Sequence, residues 1–231
     1  MTGGYFEIQN VSGGYGSGRV VREVSISIGR GEVVCLLGRN GVGKSTLAKL
    51  ACGFLRPMSG AVRFAGVEIT GKRPSENLTR GLTYCPQERV VFDDLTVAEN
   101  LSLMRTNRRL DEFEPYFRVF PRLSERRGQH AGTLSGGEKK LLSFVRGLSE
   151  RSDINVIDEP TEGVQFENVL HMADLILSHK KAGASFLVVE QNLAFVDRVA
   201  DRIVIMDHGE IVLSAAASEV DRQDILAHLT V

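Results

Sequence analysis

At 231 residues, 42% of them hydrophobic, the chain has room for one large α/β domain with a sizeable core, with or without a small insertion. A formal net charge of −1 gives no bulk electrostatic reason to expect nucleic-acid binding. The longest apolar runs, residues 33–37 and 186–189, fall far short of the roughly 18 residues that cross a bilayer, and the N-terminus lacks a charged-then-apolar signal pattern, so a cytosolic chain is expected.

In chain order, short alternating strands are expected at residues 5–11 and 24–28, then a buried strand at 32–37 (EVVCLL), a helix over 45–52 ended by Gly53, and further alternation at 61–69. The outer pieces read as an antiparallel sheet lying against a central core. Strands at 82–85, 154–157, 185–189 and 202–206 alternate with helical stretches, the pattern of a mostly parallel sheet covered by helices. Between Gln87 and Leu134 strand signals fade, and residues 97–104, 112–120 and 123–127 read as short helices of an insertion in which Arg105, Arg108 and Arg109 form a solvated face. Asp207-His208-Gly209-Glu210 predicts a hairpin into residues 211–213, and 218–229 a final helix capped by Ser218. No internal repeat or low-complexity linker appears.

Residues 38–46, GRNGVGKST, fit G-x-x-x-x-G-K-[ST] in the strand-loop-helix setting that the motif requires. The glycines let successive amides face a phosphate with no Cβ in the way, and the helix N-terminus adds partial positive charge. Lys44 is then expected at the β- and γ-phosphates and Ser45 on Mg²⁺. Downstream, Asp158 and Glu159 end a short apolar strand. An Asp-Glu-Pro turn is common on surfaces, and it is the glycine loop that gives this one meaning: Asp158 to hold Mg²⁺ through water, Glu159 to polarise the attacking water.

Cys35, Cys52 and Cys85 show neither a C-x-x-C nor a metal-ligand spacing and read as free buried thiols. His130, His171, His179, His208 and His228 are scattered over expected helix surfaces and turns and are given no metal or catalytic role. Asn155, polar in an apolar strand, has no explanation in the sequence.

Between the two phosphate motifs stands Leu134-Ser135-Gly136-Gly137-Glu138, a run that chance produces on the order of once in half a million positions at average residue frequencies. At the start of a helix it offers backbone N–H groups and a hydroxyl that need a phosphate from elsewhere. This ordered set resembles the nucleotide-binding subunits of ATP-binding-cassette (ABC) transporters. The resemblance implies a P-loop NTPase (RecA-like) core with an antiparallel β subdomain and a helical subdomain inserted at about residues 88–150, all within a single domain, 1–231. It implies ATP and Mg²⁺ as cofactors, with nucleotide held by Gly38, Arg39, Asn40, Gly41, Val42, Gly43, Lys44, Ser45 and Thr46 and its adenine stacked on Tyr15, in VSGGYG. Gln87, in TYCPQE, matches the glutamine that contacts Mg²⁺ and the attacking water. Ser135 and Gly137 match the signature that closes over a partner subunit's γ-phosphate.

The implied partners are a second ABC ATPase subunit, as a homodimer or a paralogous heterodimer, two membrane-spanning permease subunits and, indirectly, a solute-binding protein, on the cytoplasmic face of the cell membrane. The stretches ERVVFDDLTVAENL (88–101), ERRGQHAGTLSGGE (125–138), DEPTEGVQ (158–165) and VVEQN (188–192) are similar to importers of branched-chain amino acids and of urea or short amides. Two residues depart from the broad pattern. Gln191 stands where most cassettes place a histidine, and Gln165 where they place an aspartate. A glutamine there donates a hydrogen bond to the γ-phosphate but cannot become cationic. An exporter cassette of the lipopolysaccharide type and a soluble cassette ATPase of DNA repair or the ribosome share the motifs. The latter usually carries a second cassette, a coiled coil or a basic extension. A GTP-binding switch would want an N-K-x-D segment, which the sequence lacks.

Overall fold

Val33, Val34, Cys35, Leu36 and Leu37 are all fully buried, and their side chains divide between two cores. Val33, Cys35 and Leu37 enter one and Val34 and Leu36 the other, as the period of two along a strand dictates. This strand is the middle of the computed structural model, which describes residues 4–88, 90–105 and 109–229. Truncating Leu36 or Leu37 to alanine would cost about 2–5 kcal/mol.

The strands in chain order are β1 (Phe6–Gly13), β2 (Val21–Ile28), β3 (Val33–Leu37), β4 (Ser59–Phe64), β5 (Val67–Glu68), β6 (Leu82–Cys85), β7 (Ile154–Asp158), β8 (Ser185–Val189), β9 (Arg202–Asp207) and β10 (Glu210–Ala216). The first sheet is antiparallel, in the order β2-β1-β4-β5. The second runs β10-β9-β3-β8-β7-β6, parallel except for β10. This is the α/β P-loop architecture with its antiparallel sheet, and the parallel order lines up the C-terminal ends of β3, β8 and β7, where α/β sheets bind ligands.

The helices are α1 (Lys44–Cys52), α2 (Pro74–Thr79), α3 (Val97–Ser102), α4 (Glu114–Val119), α5 (Pro121–Glu125), α6 (Gly136–Ser149), α7 (Phe166–Lys181), α8 (Leu193–Val199) and α9 (Arg222–Leu229). Phe113, Phe117 and Phe120 join the core shared with β3 and so anchor the helical segment between β6 and β7.

Several local expectations are corrected. The alternation at 61–69 is broken by Ala65 (φ 50°) and Gly66 (φ 77°) into the β4–β5 hairpin, both turn residues having the positive φ that a type I′ turn needs. Ser218 sits in a 3₁₀ turn, Ala217–Glu219, and caps nothing; the Asp221 carboxylate accepts from the Gln223 N–H at 2.9 Å instead. Pro121, which suits a first helical turn, starts α5 two residues before the expected position.

Arg105 is not solvated. Its guanidinium donates to Glu112 Oε1 (2.5 Å), Glu150 Oε1 (3.0 Å) and the Ser149 carbonyl (2.8 Å), stapling the insertion to the end of α6. Arg109 is exposed and pairs with Asp111, and Arg108 lies outside the described residues. Asn155 is explained by its Nδ2, which donates to the Ser152 carbonyl at 3.1 Å. His179 is no free surface histidine: its Nε2 is 3.0 Å from the Tyr116 hydroxyl.

Candidate active site

The glycine loop leaves β3 and enters α1 through Gly43, whose φ of 113° belongs to glycine. A Cβ on Gly43 would lie 3.2 Å from Val20 Cγ1 and from Met206 Cε, and one on Gly38 (φ 148°) 2.3 Å from the Met206 carbonyl oxygen. No side chain caps α1, so its first N–H groups are left for a ligand at the helix start. Lys44 is buried, and Nζ donates back to the Gly38 (2.7 Å) and Arg39 (2.9 Å) carbonyls while standing 3.9 Å from Glu159 Oε1. Burial lowers its pKa, against the opposing pull of Glu159, Asp158 and Glu190. A cavity of about 310 Å³ is lined here by Asn40, Gly41, Gly43, Lys44, Ser45 and Thr46 together with Val20, Gln87 and Glu159. Arg39 and Val42 face a neighbouring hollow.

The carboxylates arrive from β7. Asp158 Oδ1 accepts from Ser45 Oγ at 3.0 Å and Oδ2 from the Tyr84 hydroxyl at 3.1 Å. Burial raises the Asp158 pKa, which those two hydrogen bonds only partly offset. Glu159 follows with φ 47°, a left-handed conformation that costs of order 1–3 kcal/mol for a residue with a Cβ. Its N–H is tied to the Val189 carbonyl at 2.9 Å. Gln87 Nε2 donates to Oε2 at 2.6 Å and Gln191 Nε2 to Oε1 at 3.0 Å, so two amides hold the carboxylate from both oxygens. Gln191 also donates to Asn40 Oδ1 at 2.6 Å, linking the end of β8 to the glycine loop.

Three further side chains that no phosphate motif marks complete this site. Tyr84 supports Asp158, and Val20 walls the loop. Glu190, 3% exposed, accepts from the Thr161 N–H (3.0 Å) and hydroxyl (2.6 Å) and from the backbone N–H groups of Gln191 (2.7 Å) and Asn192 (2.9 Å), fixing both strand ends. A carboxylate that directly follows the apolar run 186–189 is the signal that marks it in the sequence.

Ser135 is the N-cap of α6, in a reciprocal capping box with Glu138: Oγ accepts from the Glu138 N–H at 3.3 Å, and Glu138 Oε2 accepts from the Ser135 N–H at 3.0 Å. The Glu138 pKa ends low: burial raises it, but the bonds from Ser135 and the charge of Arg126 prevail. Leu134 anchors the turn in the core. Gly136 is open on its Cβ side, whereas a Cβ on Gly137 would lie 2.6 Å from the Gly163 carbonyl oxygen. The run opens on a cavity of about 740 Å³, shared with Glu162, Gly163 and Gln165, that has no lining residue in common with the glycine-loop cavity. Tyr15 lines neither of these two: it is 53% exposed, with its hydroxyl 3.3 Å from Lys49 Nζ.

A family model described as ABC transporter matches residues 21–162, which include the glycine loop, the LSGGE run and both carboxylates. The chain is 34% identical to the high-affinity branched-chain amino acid transport ATP-binding protein BraG of Pseudomonas aeruginosa, over 88% of this chain and 89% of that protein. It is 30% identical to a probable branched-chain amino acid transport ATP-binding protein, LivG, of Methanocaldococcus jannaschii, over 91% and 89%. Among solved structures, a nucleotide-free ATP-binding cassette from an ABC transporter superposes with a TM-score of 0.81 at 28% identity, covering 96% of this chain and 95% of that one.

Proposed function

The chain belongs to the ABC transporter family and is an ATPase, and from that premise we propose that it powers an importer, of branched-chain amino acids or of urea and short amides. The observation that carries the chemistry is Glu159 held at both carboxylate oxygens, by Gln87 and by Gln191, 3.9 Å from Lys44.

Lys44 exchanges the Gly38 and Arg39 carbonyls for the β- and γ-phosphates of ATP, and the α1 N–H groups and the loop amides share their charge. Tyr15 offers an exposed ring on which adenine stacks. The chemistry of the donors fits Mg²⁺: Ser45, Asp158 and Gln87 are oxygen donors suited to a hard cation. When bound, Mg²⁺ neutralises charge on the phosphate oxygens. A water attacks the γ-phosphorus as Glu159 takes its proton; the bond to the bridging oxygen breaks and ADP carries that electron pair away. Gln87 orients the water, and Gln191 donates to the γ-phosphate.

The γ-phosphate is also the group that Ser135 and Gly137 of a second subunit close over. That the LSGGE run and the glycine loop open on two different cavities of one chain supports that reading. Phosphate bound by both faces favours the closed pair, and its loss releases it. The second subunit is another copy or a paralogue, two permease subunits supply the membrane path, and a solute-binding protein delivers cargo from outside. The chain itself sits on the cytoplasmic face; among its described residues no helix is long and apolar enough to cross a membrane. The names of the relatives BraG and LivG favour amino acids over urea.

Glu159→Gln tests the chemistry. Hydrolysis should fall by about a hundredfold or more with ATP binding retained, and size-exclusion chromatography with ATP should show an accumulated dimer. Full activity would remove Glu159 from its role. Uptake of labelled leucine or urea by the subunit reassembled with its co-purifying membrane partners decides the cargo.

A further inference from the structure

Lys140 stands five residues past Ser135 on α6, yet its side chain is only 12% exposed. The ammonium donates to the main-chain carbonyls of Gln87 at 2.8 Å and Glu159 at 3.1 Å and lies 3.5 Å from Glu162 Oε2, so its three N–H bonds meet three acceptors. The two carbonyls belong to the pair whose side chains bond each other, Gln87 Nε2 to Glu159 Oε2 at 2.6 Å. Glu162 Oε2 closes the ring with a second, longer bond from Gln87 Nε2, 3.3 Å.

What this grip holds is a strained backbone. Glu159 has φ 47°, which a residue with a Cβ keeps only where its surroundings over-determine it. Its N–H is fixed from the core sheet by the Val189 carbonyl, and its own carbonyl is fixed from α6 by Lys140. Lys140 also lines the cavity on which Ser135 opens, while Gln87 and Glu159 line the separate glycine-loop cavity. A single side chain therefore reaches from one cavity to the backbone that shapes the other.

We propose that Lys140 is a positioning residue for hydrolysis: it ties the helix that begins at Ser135 to the main chain of Gln87 and Glu159, so that the seat of α6 sets the aim of the carboxylate and the amide at the attacking water. The proposal rests on the ATPase site described above. It differs from a merely structural lysine in what its loss does, because the aim of Glu159 matters only to the transition state.

The test is steady-state hydrolysis by the purified full chain with Mg²⁺ and ATP, for wild type, Lys140→Met, Lys140→Arg and Glu159→Gln in parallel. Methionine keeps the buried stem and removes every donor. Expected are a fall in kcat of about tenfold or more in Lys140→Met, the scale of a lost charged hydrogen bond, with KM for ATP nearly unchanged, and substantial recovery in Lys140→Arg. That split marks an interaction made in the transition state rather than in nucleotide binding. Wild-type kcat in Lys140→Met overturns the proposal, as does a loss that arginine does not recover and that is matched by a drop in melting temperature, since that is packing. If Lys140→Met does not fold, Lys140→Gln, whose shorter amide cannot span both carbonyls, is read by the same criteria. Glu159→Gln separates the two ideas: if it stays active, the site reading fails; if it is dead while Lys140→Met matches wild type, only the role of Lys140 fails.

Discussion

Gln191 touches Glu159 and the glycine loop at once, donating to Glu159 Oε1 at 3.0 Å and to Asn40 Oδ1 at 2.6 Å from the same nitrogen. An amide in this position supplies hydrogen bonds of fixed polarity at every pH near neutral. Gln191→Ala should lower turnover by roughly 1–3 kcal/mol of transition-state stabilisation with little change in ATP affinity. Gln191→His should retain function and acquire a pH dependence between about pH 6 and 8, given a reference pKa near 6.5. Turnover against pH for the three proteins is the measurement. An alanine variant equal to wild type throughout would leave hydrolysis to Glu159 and Gln87.

Complementation between defective copies is a second expectation. Ser135→Arg should abolish turnover without weakening nucleotide binding to the isolated subunit, and Lys44→Ala should abolish it by losing the phosphate contact. In a mixed pair both defects can fall on one composite site, leaving the other intact, so a mixture of the two inactive proteins should regain part of the wild-type rate. A mixture as inactive as either parent would mean that the sites act only together or that the natural pair is a heterodimer.

Asp158 is costly to the fold. Burial raises its pKa, so the folded protein binds its proton more tightly than the unfolded chain does, and stability falls as pH rises from the ordinary carboxylate range through the raised value. Asp158→Asn keeps partners for Ser45 and Tyr84 but has no charge to desolvate. It should raise the nucleotide-free melting temperature by about 2 °C or more while turnover is lost. A variant that melts lower than wild type would show that the charge is compensated in the folded protein.

His179 gives the opposite sign. Burial, with the nearby charge of Arg151, lowers its pKa, so in the window between that lowered value and about 6.5 the unfolded chain binds the proton and the folded protein does not. Stability should therefore drop as pH falls from about 6.5. His179→Gln, which leaves a partner for the Tyr116 hydroxyl, should flatten that part of the profile. Urea midpoints at pH 7.5 and 5.5, in roughly matched ionic strength, measure the difference; equal slopes in both proteins would put the effect elsewhere.

Much of this molecule is legible in the chain because its informative parts are local. Residues 38–46 carry their own strand-loop-helix context, β3 is short and wholly apolar, and the LSGGE run is a pattern of five adjacent residues. The turn at Ala65-Gly66 was missed because the hydrophobic alternation continues through it, and only the backbone shows the reversal. Arg105 reads as solvated in the sequence because two of its partners, Ser149 and Glu150, lie more than forty residues away, and the nearer Glu112 alone does not show burial. The same distance hides Tyr84 from Asp158 and Lys140 from Gln87: nothing in a run such as EKKLL separates a lysine facing solvent from one that reaches the carbonyls of another element.

Through the bond from Lys140 to the Glu159 carbonyl, the two copies of the proposed pair would be joined in a closed path. In the proposed pair, the nucleotide on one copy would meet the other copy's Ser135, that helix would move its own Lys140, the lysine would adjust its own Glu159, and this glutamate would face the nucleotide whose far side meets the first copy's Ser135. The path returns to its start after visiting both nucleotides. Neither site is upstream of the other, and because each Lys140 grips the Glu159 of its own copy, a slack link in one copy should slow that copy's turnover most and leave the other composite site working.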